Sequence, residues 1–363
     1  MIFALAIVVI SFTAIQLIVA SANLILKPVL RDEGHQDYLI SVLIPARNEE
    51  KNIRIILNDL ICQPYSNLEI IVFDDQSDDL TASIVSETAK TDPRLKLICS
   101  EFLPDGWLGK NFACHSMAQV AKGDYLLYID ADVRISDTII GLAVTYAAKN
   151  QLGLLSIFPS QMLFSVGEKM TVPIMNYILL TLLPLPLVLR SGFTSVAAAN
   201  GQFMLFNSLI YRDSKPHEHH KKNKVEDIAI ARFLKEKKIP VACLTGNKSI
   251  QCRMYEGFGD AVNGFSKNII SFFGNSFIAA TLFWAITTLG FIPVFLVFPT
   301  NIFIGYLVTI LLIRSLVSIV SNQPILINLL YLIPQQLTIG LLIIRSLTRK
   351  YVNKYQWKGR NIT

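Results

Sequence analysis

Two aspartates separated by one residue are the side chains in this sequence most clearly placed for chemistry. The apolar run Tyr125-Leu126-Leu127-Tyr128-Ile129 ends at Asp130-Ala131-Asp132. Alternate side chains of a strand point to the same face, so Asp130 and Asp132 project in the same direction. Two such carboxylates form a hard oxygen site suited to Mg²⁺ or Mn²⁺ carrying a substrate diphosphate. The alternative is an ordinary surface turn after a buried strand, where aspartate is common.

Polar residues also follow two earlier segments that have the pattern of strands. The run Leu39 to Ile44 stops at Pro45-Ala46-Arg47-Asn48-Glu49, and the run Leu68 to Phe73 stops at Asp74-Asp75. Helical patterns alternate with these strands, which predicts an α/β fold with a parallel, doubly wound sheet. Such sheets bind ligands at the carboxyl ends of their strands. Because all three polar clusters lie at strand ends, we expect them to share one site.

Three further stretches carry candidate groups. In Gly106-Trp107-Leu108-Gly109-Lys110 the glycines permit close approach of a ligand, Trp107 offers a flat face and Lys110 a point charge for phosphate. The alternative there is a tight loop with a half-buried tryptophan. The histidine-rich stretch from residue 217 to residue 222 could bind metal, but its two lysines favour a solvated loop. Glu226-Asp227 opens a predicted helix, where the helix dipole alone favours acidic residues.

The composition indicates a membrane protein. The 363 residues are 52% hydrophobic and only 17% charged, with a mean hydropathy of +0.46. The net charge of +6 is concentrated in a basic tail, which indicates the cytoplasmic side or anionic lipid, and nucleic acid is not needed to explain it. The five scattered cysteines lack zinc-site spacing and fit a reducing compartment.

The apolar segments predict the domain organisation. Ile2 to Leu26 is long enough to cross a bilayer of about 30 Å, and without a basic n-region it reads as a retained anchor rather than a cleaved signal peptide. We expect an anchor over residues 1–30, a cytosolic domain over 31–270, membrane helices over 271–348 and a basic cytosolic tail over 349–363. Within the cytosolic domain, prolines break an apolar stretch at 170–190, which predicts an interfacial segment, with a buried helix as the alternative.

The C-terminal segments conflict with the charge of the tail. Phe277 to Phe298, Ile302 to Val320 and Ile325 to Leu347 are each long enough to span. Three crossings after a cytosolic domain would place the basic tail outside, against the positive-inside tendency. Because Pro334 and the amides of Gln335 and Gln336 are costly in lipid, we expect the third segment to be a re-entrant hairpin turning near Pro334.

An ordered set of motifs resembles the membrane-attached family 2 glycosyltransferases with the GT-A fold. The resemblance is to bacterial enzymes that glycosylate carotenoids or are associated with hopanoids, and more distantly to ceramide glucosyltransferase. It covers about residues 40–268 plus the tail. The matching pieces are Pro45-Ala46-Arg47-Asn48-Glu49, Asp74-Asp75, Gly106-Trp107-Leu108-Gly109-Lys110, Asp130-Ala131-Asp132, Asn200-Gly201-Gln202, Glu226-Asp227 and Trp357-Lys358-Gly359-Arg360.

The resemblance implies roles for these residues. Asp227 would be the catalytic base, and Asp130 and Asp132 would hold Mg²⁺ or Mn²⁺. The usual Gln-x-x-Arg-Trp motif appears here as Gln251-Cys252-Arg253-Met254-Tyr255, with the arginine one place early. The donor would contact Pro45, Ala46, Arg47, Glu49, Asp75, Lys110, Asp130, Gln251 and Arg253. The acceptor and the loops near it would involve Trp107, Asn200, Gly201, Gln202, Glu226, Trp357 and Arg360.

The implied function is inverting, metal-dependent transfer of a sugar from a nucleotide-diphosphate sugar, a UDP-hexose by expectation. The acceptor would be a hydroxyl or carboxylate of a membrane lipid such as a carotenoid or hopanoid, at the bacterial cytoplasmic membrane. A polysaccharide synthase is the alternative enzyme, although threading a polymer through the bilayer needs more helices. A non-catalytic membrane protein with a decayed transferase domain is a further alternative, but Asp130, Asp132 and Asp227 are all present.

Overall fold

The computed structural model describes residues 1–28, 30, 37–352, 356–357 and 360–361, with side chains up to residue 348. The chain divides into two compact units. We call Pro28–Ser160 with Leu185–Cys252 the sheet unit, and Met1–Lys27 with Gln161–Pro184 and Arg253–Thr363 the helical unit. Two stretches of the predicted cytosolic domain over 31–270, Gln161–Pro184 and the residues after Cys252, group with the helical unit, and the domain itself stays a prediction.

Strands and helices are numbered along the chain. The strands are β1 (Ile40–Ala46), β2 (Leu68–Asp74), β3 (Leu95–Cys99), β4 (Tyr125–Ile129), β5 (Val133–Ile135), β6 (Leu154–Phe158), β7 (Ser160–Gln161), β8 (Phe203–Asn207), β9 (Val241–Thr245), β10 (Ile250–Cys252), β11 (Gln356–Trp357) and β12 (Arg360–Asn361). The helices are α1 (Ile2–Ile25), α2 (Ile53–Ile61), α3 (Thr81–Ala89), α4 (Gly109–Val120), α5 (Ile139–Lys149), α6 (Val166–Thr171), α7 (Pro173–Leu182), α8 (Pro186–Arg190), α9 (Ser208–Ser214), α10 (Pro216–His219), α11 (Glu226–Glu236), α12 (Phe258–Asn268), α13 (Phe277–Leu289), α14 (Phe291–Val297), α15 (Thr300–Val320), α16 (Ile325–Leu330) and α17 (Leu332–Val352), with a 3₁₀ turn at Ile269–Phe273.

The main sheet has the order β3-β2-β1-β4-β8-β6-β9 in the described part of the chain. Strands β3, β2, β1 and β4 are parallel, as the sequence predicts, whereas β8 runs antiparallel to both β4 and β6. All residues of β1 and β2 are buried, as expected for strands covered on both faces. Helix α2 shows the complementary pattern, since it buries one stripe made of Ile53, Ile56, Leu57 and Leu60.

The helical unit contains the apolar segments. Of the described helices, α1 and α15 are each long and apolar enough to cross a membrane, and the bent pair Phe258–Phe273 and Phe277–Leu289, with an angle of 100° between its parts, could be a third span. Helix α1 packs against α7, α14 and α15. The predicted span from residue 277 to residue 298 is broken at Gly290, where α13 ends and α14 begins.

Helix α7 corresponds to the apolar stretch that the sequence places at a membrane interface. Eight of its ten residues are buried, and Pro173 lies at its first turn, where a missing N–H costs little. It packs against α1, α15 and α17. The helix thus has the environment of the alternative prediction, a buried helix, because it is apolar around its circumference and other helices cover it.

The polar residues of the last two apolar segments face other helices. Arg314 on α15 is 2% exposed, stacks on Tyr177 with its guanidinium carbon 3.5 Å from the ring centroid, and donates to Gln335 Oε1 at 3.1 Å. Gln336 Oε1 accepts from the hydroxyl of Thr288 at 3.2 Å. Pro334 lies inside the first turn of α17, and the chain breaks at Tyr331 instead. The helix break thus lies three residues before Pro334, which is tolerated in the first turn of a helix, and the re-entrant hairpin stays a prediction.

Candidate active site

The ends of β1, β2 and β4 form one edge of the sheet. Ala46 lies opposite Asp74 in the parallel register, and Leu43 lies opposite Tyr128. Arg47, Asp75 and Asp130, which follow these three strands, are therefore placed at the same edge. The three polar clusters of the sequence come together at the position where a parallel sheet binds its ligands.

Arg47 connects the first two clusters. Its Nη1 donates to the carbonyl oxygen of Asp75 and, at 3.0 Å, to that of Gln76. Asn48 and Gln76 have φ values of 53° and 56°, so both loops turn sharply beside this contact. Asp75 is 1% exposed, and its amide donates to the Ala46 carbonyl at 2.8 Å. The side chain of Arg47 therefore links the loop after β1 to the backbone of the loop after β2.

Lys110 stands at the centre of the site. Its Nζ lies 2.9 Å from Asp130 Oδ1 and 3.4 Å from Glu226 Oε1. Burial alone would lower the pKa of Lys110, but the attraction of Asp130 and Glu226 outweighs it and raises this pKa well above its ordinary value. The predicted phosphate ligand Lys110 is thus paired with two carboxylates, of which Glu226 lies more than 100 residues away along the chain.

Asp132 lies beside Asp130 with part of its hydrogen-bonding capacity unused. Its Oδ1 is buried and has no hydrogen-bond partner within the described part of the chain, while the carboxyl hydrogen-bonds the thiol of Cys252. Cys252 also accepts a hydrogen bond from Gln202 Nε2 at 2.8 Å. Burial raises the pKa of Asp132 to about 7, and the charges of Asp130 and Glu49 add to this effect.

This pair of carboxylates fits a divalent cation. A bound cation would give the buried Asp132 oxygen a partner. It would also offset the repulsion between the two carboxylates. The structure shows no group of three or more histidine, cysteine, aspartate or glutamate side chains arranged to hold a metal among its described residues. A cation at Asp130 and Asp132 would therefore take further oxygens from water or from a diphosphate, which is the usual mode of Mg²⁺ binding.

Asp227 lies in the first turn of α11 and is held by two backbone amides. Gly201 N–H donates to its Oδ2 at 3.0 Å, and Ile228 N–H donates to its Oδ1 at 2.8 Å. Burial raises the pKa of Asp227 to about 7, and the charge of Glu226 raises it further, against the opposing effect of these donors and of Lys110. A carboxyl group with this pKa is suited to accept a proton near neutral pH.

Gly201 brings the backbone close to these charged groups. A Cβ atom at this position would lie 3.1 Å from Lys110 Nζ and 3.4 Å from Glu226 Oε1. On either side, Gln202 accepts a hydrogen bond from the Asp130 amide at 3.3 Å, and Asn200 N–H donates to Ser156 Oγ at 2.8 Å. The predicted Asn200-Gly201-Gln202 motif thus contacts both the Asp130 loop and Asp227.

The Trp107 loop rests on the histidine-rich stretch. The ring of Trp107 lies 5.0 Å from that of His115 and 5.7 Å from Lys221 Nζ. Asn111 Nδ2 donates to the carbonyls of His220 and Asn223 at 2.9 and 3.1 Å. The stretch from 217 to 222 therefore supports the loop that carries Lys110.

His217 departs from the predicted solvated loop. It is 2% exposed, shares a hydrogen bond of 2.8 Å between its Nδ1 and Tyr211 Oη, and packs beside Tyr128. Burial lowers its pKa to about 3, with a further contribution from Lys110, so it is neutral at physiological pH. The prediction of a solvated loop is wrong for His217, because an aromatic pocket encloses its ring.

Of the remaining predicted site residues, two have other surroundings and two lie outside the described side chains. In β10, Ile250 and Cys252 are buried while Gln251 alternates to the other face, so Cys252 is the residue brought to Asp132. Arg253 belongs to the helical unit, where its Nη2 pairs with Glu168 Oε1 at 2.9 Å. The side chains of Trp357 and Arg360 lie outside the described residues.

Comparison with known proteins identifies the part of the chain that carries Asp130 and Asp132. The family model of glycosyl transferase family 2 matches residues 41–167, which include Arg47, Asp75, Lys110, Asp130 and Asp132. The chain carries a family 2 glycosyltransferase domain. A mannosyltransferase from Pyrobaculum calidifontis, solved in complex with GDP-Man and Mn²⁺, superimposes with a TM-score of 0.56 at 16% identity, covering 98% of this chain and 100% of that one. The predicted resemblance to family 2 glycosyltransferases and the predicted GT-A fold are confirmed.

Curated relatives extend the match beyond the family 2 domain. The 4,4'-diaponeurosporenoate glycosyltransferase of Staphylococcus haemolyticus (strain JCSC1435) is 28% identical over 246 residues, covering 65% of this chain and 62% of the relative. The protein of the same name from Staphylococcus aureus (strain MRSA252) is 27% identical over 252 residues, covering 68% of this chain and 65% of the relative. The match thus spans less than two thirds of the length of either relative.

Proposed function

We propose that this chain transfers a hexose from a nucleotide-diphosphate sugar to a hydroxyl of a membrane lipid, with inversion at the anomeric carbon. The observation that carries the proposal is the Asp227 carboxylate, held by the Gly201 and Ile228 amides beside the Lys110 ion pairs. In such a transfer Asp227 accepts the hydroxyl proton as the new C–O bond forms. The bond from the anomeric carbon to the diphosphate breaks, and the nucleoside diphosphate leaves.

The donor would lie at the strand ends, on the loops that Arg47 braces. Asp130 and Asp132 would hold Mg²⁺ or Mn²⁺, which offsets the charge of the departing diphosphate. The superimposable mannosyltransferase was solved with GDP-Man and Mn²⁺, which supports a nucleotide sugar and a divalent cation for this fold. Lys110, already paired with Asp130, keeps the carboxylates of the site in place.

The environment of Asp227 favours a hydroxyl acceptor over a carboxylate acceptor. An alcohol is almost fully protonated near neutral pH, so its attack needs a base in reach. A carboxylic acid with an ordinary pKa is already ionised at that pH and needs none. Because Asp227 has a pKa of about 7, it can serve as that base for an alcohol. The apolar helices of the helical unit support a lipid as the body of the acceptor.

We further propose that the sheet unit lies on the cytosolic side of the bacterial inner membrane, where nucleotide sugars are made. The apolar α1 would then be the membrane anchor of the chain.

The direct test is transfer of labelled sugar into lipid. Membranes containing the chain are incubated with a panel of radiolabelled UDP- and GDP-sugars, and the label is extracted into organic solvent. We expect one donor to label a small lipid that resists mild alkali, because the acetal linkage of a glycoside is stable to base, whereas a sugar ester is cleaved. Release of the label by mild alkali would indicate a carboxylate acceptor, and label retained in an insoluble polymer would favour the polysaccharide synthase.

Lys110→Met tests the central ion pairs. Removing the cation leaves Asp130 and Glu226 without their partner, and we expect the turnover of sugar transfer to fall about 10- to 100-fold. Lys149→Met, which removes a cation from the C-terminal turn of α5, is the matched control and should retain normal turnover. Normal turnover of the Lys110 variant would contradict the role of these ion pairs.

A further inference from the structure

Lys235 is a buried lysine on the helix that carries Asp227. Its side chain is 6% exposed, and its Nζ donates to the carbonyl oxygens of Val188, Ser191 and Val196 at 2.7, 2.8 and 2.8 Å. An ammonium group has three N–H donors, so every donor is used. Burial lowers the pKa of Lys235. No carboxylate pairs with it among the described residues, so backbone carbonyls alone replace its water.

These carbonyls belong to one stretch of chain, residues 188–202, which we call the bridging segment. After α8 ends at Arg190, the segment has no regular secondary structure until β8 begins at Phe203 in the described chain. An irregular backbone lacks ladder partners for its carbonyls, so Lys235 supplies donors that the fold otherwise does not. Between the end of α8 and β8, the buried apolar side chains of the segment are the small ones of Ala197, Ala198 and Ala199, while Phe193 is 74% exposed.

The far end of the bridging segment lies in the active site. Gly201 N–H donates to Asp227, and Gln202 accepts from the Asp130 amide. Asp227 and Lys235 are separated by eight residues of α11, a rise of about 12 Å along one rigid helix. The helix therefore contacts the bridging segment twice, through the reactive carboxylate at one end and through the buried ammonium at the other.

We propose that Lys235 is a positioning residue for sugar transfer, which fixes the bridging segment so that Gly201 N–H meets the Asp227 carboxylate. The inference rests on the proposed function, since it concerns the same base. Lys235 does not touch the reacting atoms. It acts by setting the backbone geometry that holds Asp227 in one orientation, and orientation of a reacting group contributes strongly to turnover.

The test is Lys235→Met, which keeps an unbranched side chain only one heavy atom shorter and removes all three donors. We expect turnover to fall about 10- to 100-fold while the KM of the donor changes less than about threefold, because the donor site at the strand ends is intact. Hydrogen–deuterium exchange should become faster in residues 191–202, including the Gly201 amide, and remain unchanged in β1. Lys237→Met, at the exposed end of the same helix, is the control and should leave both measurements unchanged.

The exchange measurement separates the possible failures. Wild-type turnover in Lys235→Met, or unchanged exchange in the bridging segment, overturns the inference. Faster exchange throughout the sheet unit, β1 included, also overturns it, since Lys235 would then support the fold as a whole. If the wild-type chain transfers no sugar, the proposed function fails, and the exchange data still report whether Lys235 holds the bridging segment.

Discussion

Asp227→Asn is expected to lower the turnover of sugar transfer at least about 10²-fold, with donor binding changed less than about threefold. The amide has the size of the carboxylate and cannot accept the proton of the acceptor hydroxyl. Turnover is measured with saturating donor and acceptor, and donor binding is measured separately by titration with the nucleoside diphosphate.

Asp213→Asn, which neutralises an exposed aspartate on α9, is the matched control and should transfer sugar at the normal rate. If Asp227→Asn turned over normally with an alcohol acceptor, the proton would have to go to another group. Glu226 would then be the candidate, since its carboxylate lies in the same cluster, whereas His217 is enclosed by aromatic rings.

The same carboxyl group gives the reaction a defined pH dependence. Asp227 acts as a base only when ionised, so turnover should rise as the pH increases through about 7 and level off above it. Stability changes in the opposite direction. A pKa raised from 3.8 to about 7 means that the folded state retains a proton which the unfolded state has lost, so this contribution is fully present below about pH 4 and is lost as the pH rises through 7.

Asp132→Asn is expected to abolish transfer, and EDTA should abolish transfer by the wild-type chain until Mn²⁺ or Mg²⁺ is added back. The carboxylate has a buried oxygen without a partner among the described groups, and its neutral amide is a poorer cation ligand. Binding of Mn²⁺ in the presence of UDP, followed by electron paramagnetic resonance, should weaken at least about tenfold in this variant. This measurement does not depend on turnover.

Asp137→Asn is the control, because Asp137 is an exposed aspartate five residues further along the same stretch and hydrogen-bonds Ser249. It should bind Mn²⁺ and transfer sugar normally. Full turnover of the wild-type chain in EDTA would contradict a metal role for both Asp130 and Asp132.

Local patterns in the sequence predicted the edge of the sheet. Apolar runs that end in polar residues located β1, β2 and β4 to within two residues. This was possible because the burial and the alternation of a strand determine the types of consecutive residues. The same reasoning predicted that Asp130 and Asp132 project together. It did not reveal the antiparallel β8, since strand direction is set by pairing between segments that are distant in sequence.

The contacts inside the site could not be predicted in this way. Lys110 pairs with Glu226, and Asp132 with Cys252, across more than 100 residues of chain, and periodicity specifies faces without specifying partners. The alternation of β10 was an available signal, because it places Cys252 and Gln251 on opposite faces. No pattern in the sequence indicated the contacts of Lys235, because its partners are backbone carbonyls and every residue carries one.

The helical unit is assembled from three separate stretches of chain, and this has a consequence for synthesis. When the ribosome has passed Cys252, every residue of the sheet unit has been made, while α14 and α15, against which α1 packs, do not yet exist. At this point the nascent chain contains all strands of the main sheet. Its first helix, α1, still lacks two of the helices against which it packs in the finished protein. Premature stops after residue 252 would spare the strands that carry the carboxylates and leave α1 as an incompletely packed apolar helix, a target for membrane quality control.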